Sequence, residues 1–329
     1  MNTRLALLAT ILMVVSGCDK AKEFVRAGQA AAPPVVSPGE ELDLAAHPDI
    51  VFQVFGESND PRMIPIAAVK GGRLRPIVLS PDGWRQFDAT YLRRGKQYPV
   101  FQDGHAVGSV SVRQGMWERD GQPLYTLPGC RTLTPLAAVK VVDAHVRTDF
   151  TVELLASTAT LGHDRPGPPL PASEMARTAK SLATEIAKSA GIRPRLLDSL
   201  DFHATAFMSG VSKFPTIVAA FIDPGAANAA SASARTAHIL LIADRDSTTG
   251  AYRSTFVHRV NGPLATAAFR RFLDHLDLDG DGTDEIVLEG WQFGGETFLQ
   301  VLSWDGGKGK WMESYRTRAN WCLDVRIAD

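Results

Sequence analysis

Cysteine is nearly missing from this chain: three residues in 329, at positions 18, 130 and 322. So sparse a set excludes the disulfide-dense frameworks of small secreted modules, and leaves a buried core to hold the fold together. Net charge is missing as well. The 35 basic and 36 acidic side chains leave −1, so no bulk field gathers nucleic acid, and nucleic acid is set aside as a partner. Beyond the first twenty residues no apolar run approaches the roughly 18 residues needed to cross a bilayer. H-E-x-x-H, G-x-S-x-G, Walker and G-x-G-x-x-G patterns are absent, so zinc-protease, elbow-nucleophile and nucleotide chemistry lack positive support. No repeat of about 20 to 50 residues recurs, which removes a full solenoid or propeller. What is present is 45% hydrophobic and 22% charged, material for one large or two ordinary domains with cores of their own.

The first residues carry the most specific motif. Arg4 supplies a positive n-region, Leu5 to Val15 an apolar stretch, and Val15-Ser16-Gly17-Cys18 follows at once. This stretch of eleven residues makes about 16 Å of helix, half a hydrocarbon core, which suits an export signal better than an anchor. Small residues at Ser16 and Gly17 open the bond before Cys18 to a peptidase. The segment resembles the lipobox of bacterial lipoproteins. That resemblance implies a signal peptide over 1–17, diacylglyceryl transfer to the Cys18 thiol, N-acylation, and a membrane partner engaged through lipid, with the folded part facing the periplasm. In such proteins an Asp after the lipidated Cys favours inner-membrane retention, and Asp19 stands there; an outer-membrane address remains the other option. With Cys18 acylated, Cys130 and Cys322 are the remaining thiols, in an oxidising compartment where they are candidates for a disulfide. Buried free thiols are the alternative.

Residues 18–47 are rich in Ala, Pro and small polar residues and read as the lipidated Cys and a flexible tether. From 48 to 149 short apolar runs alternate with turn chemistry, which predicts a small β-domain. Its clearest hairpin is Tyr98 to Val112 about Asp103-Gly104, since Gly tolerates the positive φ of a tight turn; Pro81-Asp82-Gly83 reads as another turn. From 150 to 329 the expectation is an antiparallel sheet with one packed helix and a blade-like C-terminal unit. The helix spans about Ser173 to Ala190, with Ser173 as N-cap, Gly191 as terminator and Met175, Ala179, Leu182 and Ile186 on one face. The whole is α+β, mainly antiparallel β.

One acidic constellation stands above background, Asp277-Leu278-Asp279-Gly280-Asp281-Gly282-Thr283-Asp284-Glu285. Five carboxylates fall in nine residues without a Lys or Arg among them, a repulsion that a hard divalent cation relieves. Asp277, Asp279, Asp281 and Glu285 hold positions 1, 3, 5 and 9, Gly282 permits a sharp turn, and Thr283 offers a backbone carbonyl. An EF-hand needs a bidentate Glu at position 12, and Leu288 is there instead. Ile286-Val287-Leu288 leads into a strand. The register is similar to the calcium loop of FG-GAP repeats of integrin-type propellers, over Phe269 to roughly Tyr315 and in a single copy. The resemblance implies Ca²⁺ bound by the side chains of Asp277, Asp279, Asp281 and Glu285 and the Thr283 carbonyl. Position 9 in that family is more usually Asp.

His238 and His258 come close if their strands form a hairpin, and His203 shares a strand face with Asp201 and Thr205. Ordinary sheet positions explain them more simply than zinc or acid–base chemistry. Trp291, Trp304 and Trp311 suit core packing better than a ligand groove. These features together point to a non-catalytic envelope protein stabilised by Ca²⁺, binding another protein or an envelope polymer. The alternative is a glycan or peptidoglycan hydrolase, whose paired carboxylates leave no local motif.

Overall fold

The computed structural model describes residues 41–117, 135–142, 151–161, 165, 167–226, 231–293 and 297–317. Cys18, Asp19, Cys130 and Cys322 lie outside them, and with them the lipidation and disulfide expectations. The architecture is mainly antiparallel β with a minority of helix, as the alternation of short apolar runs and turn residues requires.

Strands β1 (Asp49–Glu57), β2 (Arg62–Val69), β3 (Leu74–Arg75), β4 (Gln97–Gln102), β5 (His105–Gln114), β6 (Ala137–Val142) and β7 (Thr151–Ser157) form one sheet in the order β1-β7-β4-β5-β6-β2-β3. A further β1–β2 pairing closes six of them into an antiparallel barrel, with β3 appended to β2. Closure removes the edges that would otherwise be open to other chains. Residues of β1 alternate: Ile50, Phe52 and Val54 fill the barrel, while Val51 faces a second core outside it. Burial on both faces is why β1 reads as an almost unbroken apolar run. Pro65 cannot donate to the ladder, and β1 accommodates it at a register shift between Val51 and Phe52. The Asp103-Gly104 turn is as expected, both residues at positive φ, 51° and 78°.

Two features of this region depart from the sequence reading. Thr151–Ser157 pairs with β1 and β4, so a segment assigned by sequence to the region 150–329 completes the barrel instead. Pro81-Asp82-Gly83 is the first turn of a helix, α1 (Pro81–Tyr91). Ser80 caps it by accepting from Gly83 N at 3.2 Å, Pro81 is pre-set for the first helical position, and Asp82 favours the positive end of the dipole. Trp84, Phe87 and Tyr91 share one face and are buried in the barrel core, each worth roughly 1.5–3 kcal/mol of apolar burial. The chain is packed already from Leu42, whose N–H donates to Val78 O, and Leu44 is part of the same core.

The remainder forms two successive four-stranded meanders. The first contains β8 (Asp201–Phe207), β9 (Thr216–Ile222), β10 (Arg235–Arg245) and β11 (Tyr252–Pro263); the second contains β12 (Ala268–Leu276), β13 (Glu285–Gln292), β14 (Thr297–Asp305) and β15 (Lys310–Arg316). Helix α2 (Ala172–Ser189) lies on the first meander and is followed by the short α3 (Pro194–Leu197). It begins one residue before Ser173, after Pro171, with no side-chain cap. Gly191, at φ 67°, ends it, and Ile192 N reaches back to Ala187 O. Ala179, Ala183 and Ala187 let this helix sit close on Ile217, Ala219, Ile239 and Leu241.

The other face of the first meander packs on the second. Val218, Ala220, Leu240 and Ile242 meet Ile286, Leu288, Leu302 and Trp311. The opposite face of the second meander meets the barrel, Leu276, Val287, Leu299 and Val301 against Val51, Ile64, Ile66, Phe101 and Leu155. Ile286 and Leu288 therefore face the first meander and Val287 between them faces the barrel, by the two-residue period of a strand. The second meander is the inner layer between barrel and first meander.

Candidate metal centre

The acidic loop is the β12–β13 connection, closed by the pairing of Leu276 with Glu285. Its path is set by short hydrogen bonds from backbone to Asp side chains. Asp277 Oδ1 and Oδ2 accept from Gly280 N and Gly282 N at 2.8 and 3.1 Å, Asp279 Oδ1 accepts from Asp281 N, and Asp281 Oδ1 accepts from Thr283 N. Gly280 and Gly282 take φ of 78° and 88°, conformations that side chains resist. Leu278, 1% exposed, pins the loop into the core beside the barrel, and its N–H donates to Glu285 Oε2 at 2.8 Å.

This path gathers three carboxylates. Ligand atoms of Asp277, Asp279 and Glu285 lie within 4.8 Å of one another, a group that could hold a metal ion. Asp281 is exposed and stands outside that group; Thr283, expected to offer its carbonyl, follows it in the loop. Burial pushes the Glu285 carboxyl up to about 8, with the Asp279 charge adding to the effect. Burial also raises Asp279, helped by Asp281 and Asp277. Both shifts express one conflict, negative charges crowded away from water, which a bound cation would relieve.

The surroundings bring three layers of the fold to this loop. Arg165 Nε donates to Asp284 Oδ1 at 3.1 Å, and its Nη2 lies 3.9 Å from Asp277 Oδ2. Asp284 Oδ2 meets His275 Nδ1 at 2.7 Å, and the His275 ring stacks on Phe207 with centroids 3.7 Å apart. From the first meander Ser209 O accepts from Asp284 N, and a side chain at Gly210 would come 2.8 Å from Gly282 O. From the barrel Gly104 N donates to Asp274 Oδ1, and a Cβ on Gly104 would meet the His275 ring at 2.4 Å. Asp274 is raised to about 6 by burial.

No protein-family model matches the chain, and no curated protein or solved structure matches it either. The chemistry of its own residues is therefore the guide to function.

Of the other expected positions, His238 and His258 are brought together, rings 5.5 Å apart. Their shared neighbour is Arg270, through its backbone N–H at His238 and its guanidinium at His258. Arg270 N donates to His238 Nε2 at 3.1 Å, while His258 Nε2 lies 2.5 Å from Arg270 Nη1 and 2.7 Å from Ala268 O. His238 Nδ1 in turn donates to Phe221 O at 3.0 Å. Burial first, and the Arg270 charge with it, hold His238 down at about 4 and His258 at about 3. His203 is exposed. Trp311 is buried against Trp304, and Trp291 stacks on Phe269, the packing use expected of them.

Sequence reasoning missed Asp244. This buried carboxylate accepts from Thr216 Oγ1 and Thr255 Oγ1, both at 2.5 Å, and from Trp311 Nε1 at 2.8 Å. It links β9, β10 and β11 to β15, so one anion ties the two meanders together. Its signal was a charged residue closing the otherwise apolar run Ile239 to Ala243.

Proposed function

We propose that the chain is a non-catalytic envelope lipoprotein, acylated at Cys18 and facing the periplasm, that binds another protein or an envelope polymer and carries Ca²⁺ as a structural staple. The observation that carries the reading is the convergence of Asp277, Asp279 and Glu285 in a loop touched by both the barrel and the first meander. An oxygen-only donor set selects a hard cation, and a loop with spare carbonyls and carboxylates suits the six to eight ligands of Ca²⁺ better than the tight octahedron of Mg²⁺. On this reading Asp281 and the Thr283 carbonyl complete the cage, as in an FG-GAP loop, and the meander β12–β15 is the blade-like unit that carries it. The ion's work is cohesion, because Glu285, 2% exposed, begins the inner strand of the fold. Asp19 favours the inner membrane, and Cys130 with Cys322 would close a disulfide, which a thiol count of zero on denatured, unreduced protein supports and a count of two removes.

The test is calorimetric titration of the full-length chain in non-ionic detergent with Ca²⁺ and with Mg²⁺, joined to melts with and without chelator. Saturating Ca²⁺ should stabilise by RT ln(1 + [Ca²⁺]/Kd), about 2.7 kcal/mol at a hundred times Kd. Asp279→Ala should lose most of that gain and leave the chelated protein nearly unchanged. No binding at millimolar Ca²⁺ and an unshifted melt would reduce the loop to a solvated acidic turn.

A further inference from the structure

At the end of β12 away from the acidic loop, the interface between the two meanders turns from apolar to cationic. Arg270, opposite Gly290, lies in one cross-strand row with Phe298, and Gln300 opposite Arg316 forms the next row on the same face. Gly290 has no side chain, and the Phe298 ring occupies that space: a Cβ there would meet it at 2.2 Å. Both guanidiniums pack on this ring, Arg270 at 5.4 Å and Arg316 at 4.9 Å from its centroid.

Two independent facts leave this cluster one anion short. Arg270 is 6% exposed, yet its hydrogen-bond partners are neutral acceptors: Gln300 Oε1 at 2.6 Å, His258 Nε2 and Ala268 O. Buried charges are ordinarily paired with opposite ones. The nearby carboxylate, Glu313, accepts from Arg316 Nη2 and from Gln300 Nε2, both at 2.5 Å, so two guanidiniums share one negative charge. Second, Arg316 Nε is the one side-chain nitrogen or oxygen among the described residues that is buried without a hydrogen-bond partner, a condition that calls for a bound ion or water. The Arg316 side chain is 26% exposed while Arg270 lies deeper, so the cluster is open to solvent at its Arg316 end.

From this we infer that this end of the two-meander sandwich binds a small oxyanion, the carboxylate or phosphoryl group of a ligand, through Arg316 and Arg270. Arg316 Nε is the buried donor left over, Arg316 Nη1 and Arg270 Nη2 make no hydrogen bond among the described residues, and guanidinium forks match the paired oxygens of such groups. An anion there balances two positive charges against two negative ones. Glu313 opposes it, and keeps the site selective for ligands that use both guanidiniums.

The experiment is calorimetric titration of the full-length chain in non-ionic detergent with inorganic phosphate and with acetate, at ionic strength held constant by chloride. Wild type should bind with saturation near one equivalent. Arg316→Gln should weaken binding at least about tenfold, Arg316→Lys should retain part of it, and Arg253→Gln, an exposed arginine on β11, should change nothing. Binding of phosphate alone assigns a phosphoryl ligand, and binding of both anions assigns oxyanions in general. Absence of saturable heat in wild type overturns the inference whatever the variants do, as does equal binding by wild type and a folded Arg316→Gln.

Discussion

Acidification should expose the two neutral histidines of the sandwich as a measurable loss of stability. In the unfolded chain each ring protonates near 6.5; in the fold burial and Arg270 hold His238 at about 4 and His258 at about 3. Above the unfolded value both states are neutral and the histidines contribute nothing to the pH dependence. As pH falls below it, the unfolded state gains protons that the folded state refuses, so stability declines until the folded values are reached. At pH 5 each ring costs about 2 kcal/mol relative to pH 7.5, roughly 4 kcal/mol for the pair, from about 1.5 units below the unfolded value at 1.36 kcal/mol each. Buried carboxylates act the other way: Asp274 at about 6 and Glu285 at about 8 gain their protons in the fold first, and acid relieves their charge. The comparison must therefore be differential. Urea unfolding followed by tryptophan fluorescence, at both pH values and fixed Ca²⁺, should show wild type losing about 2 kcal/mol more than His258→Gln and about 4 kcal/mol more than His238→Gln/His258→Gln. Gln retains an acceptor for Arg270 without titrating. Parallel pH profiles in the three proteins would refute the reasoning, since rings that protonate normally in the fold are not enclosed against Arg270.

Three further outcomes are expected. Asp244→Ala should cost about 3 kcal/mol or more by chemical unfolding, because it strands the hydroxyls of Thr216 and Thr255 and the Trp311 N–H in the core; a loss under about 1 kcal/mol would mean that water replaces the carboxylate. Gly104→Ala should lower the melting temperature by several degrees, combining a φ of 78° with a clash on His275, and an unchanged melt would show that the hairpin tip is not seated on that ring. Cys18→Ala should abolish palmitate labelling and move the protein to the soluble fraction, and labelling at the wild-type level would dismiss the lipid anchor.

Local signals were the legible ones. The Tyr98–Val112 hairpin was readable because Asp-Gly accepts two positive φ values in succession, and the acidic loop because its spacing is chemical rather than topological. The antiparallel sheet expected over 150–329 is present as the two meanders β8–β11 and β12–β15. Of the expected ligands Asp277, Asp279 and Glu285 are gathered within 4.8 Å of one another, while Asp281 accepts from Thr283 N and is exposed. What escaped was either ambiguous or remote. Pro81-Asp82-Gly83 serves equally as a turn and as a first helical turn, and the decisive sign, Trp84, Phe87 and Tyr91 on one helical face, lies beyond it. Barrel closure joins strands a hundred residues apart, Gln53 with Leu155 for example, and no window of sequence holds both. Arg270 belongs to a strand whose pattern predicts its neighbours' burial but not which side chains reach it across another sheet.

The inner layer of the fold follows both of its neighbours in the chain. Until residues 268–316 are synthesised, the barrel presents Val51, Ile64, Ile66, Phe101 and Leu155 to water, and the first meander presents Val218, Leu240 and Ile242. Both surfaces wait for the same four strands. A growing chain therefore carries both faces uncovered until then, and a stop codon between Pro263 and Phe269 leaves two adhesive halves instead of a shortened protein.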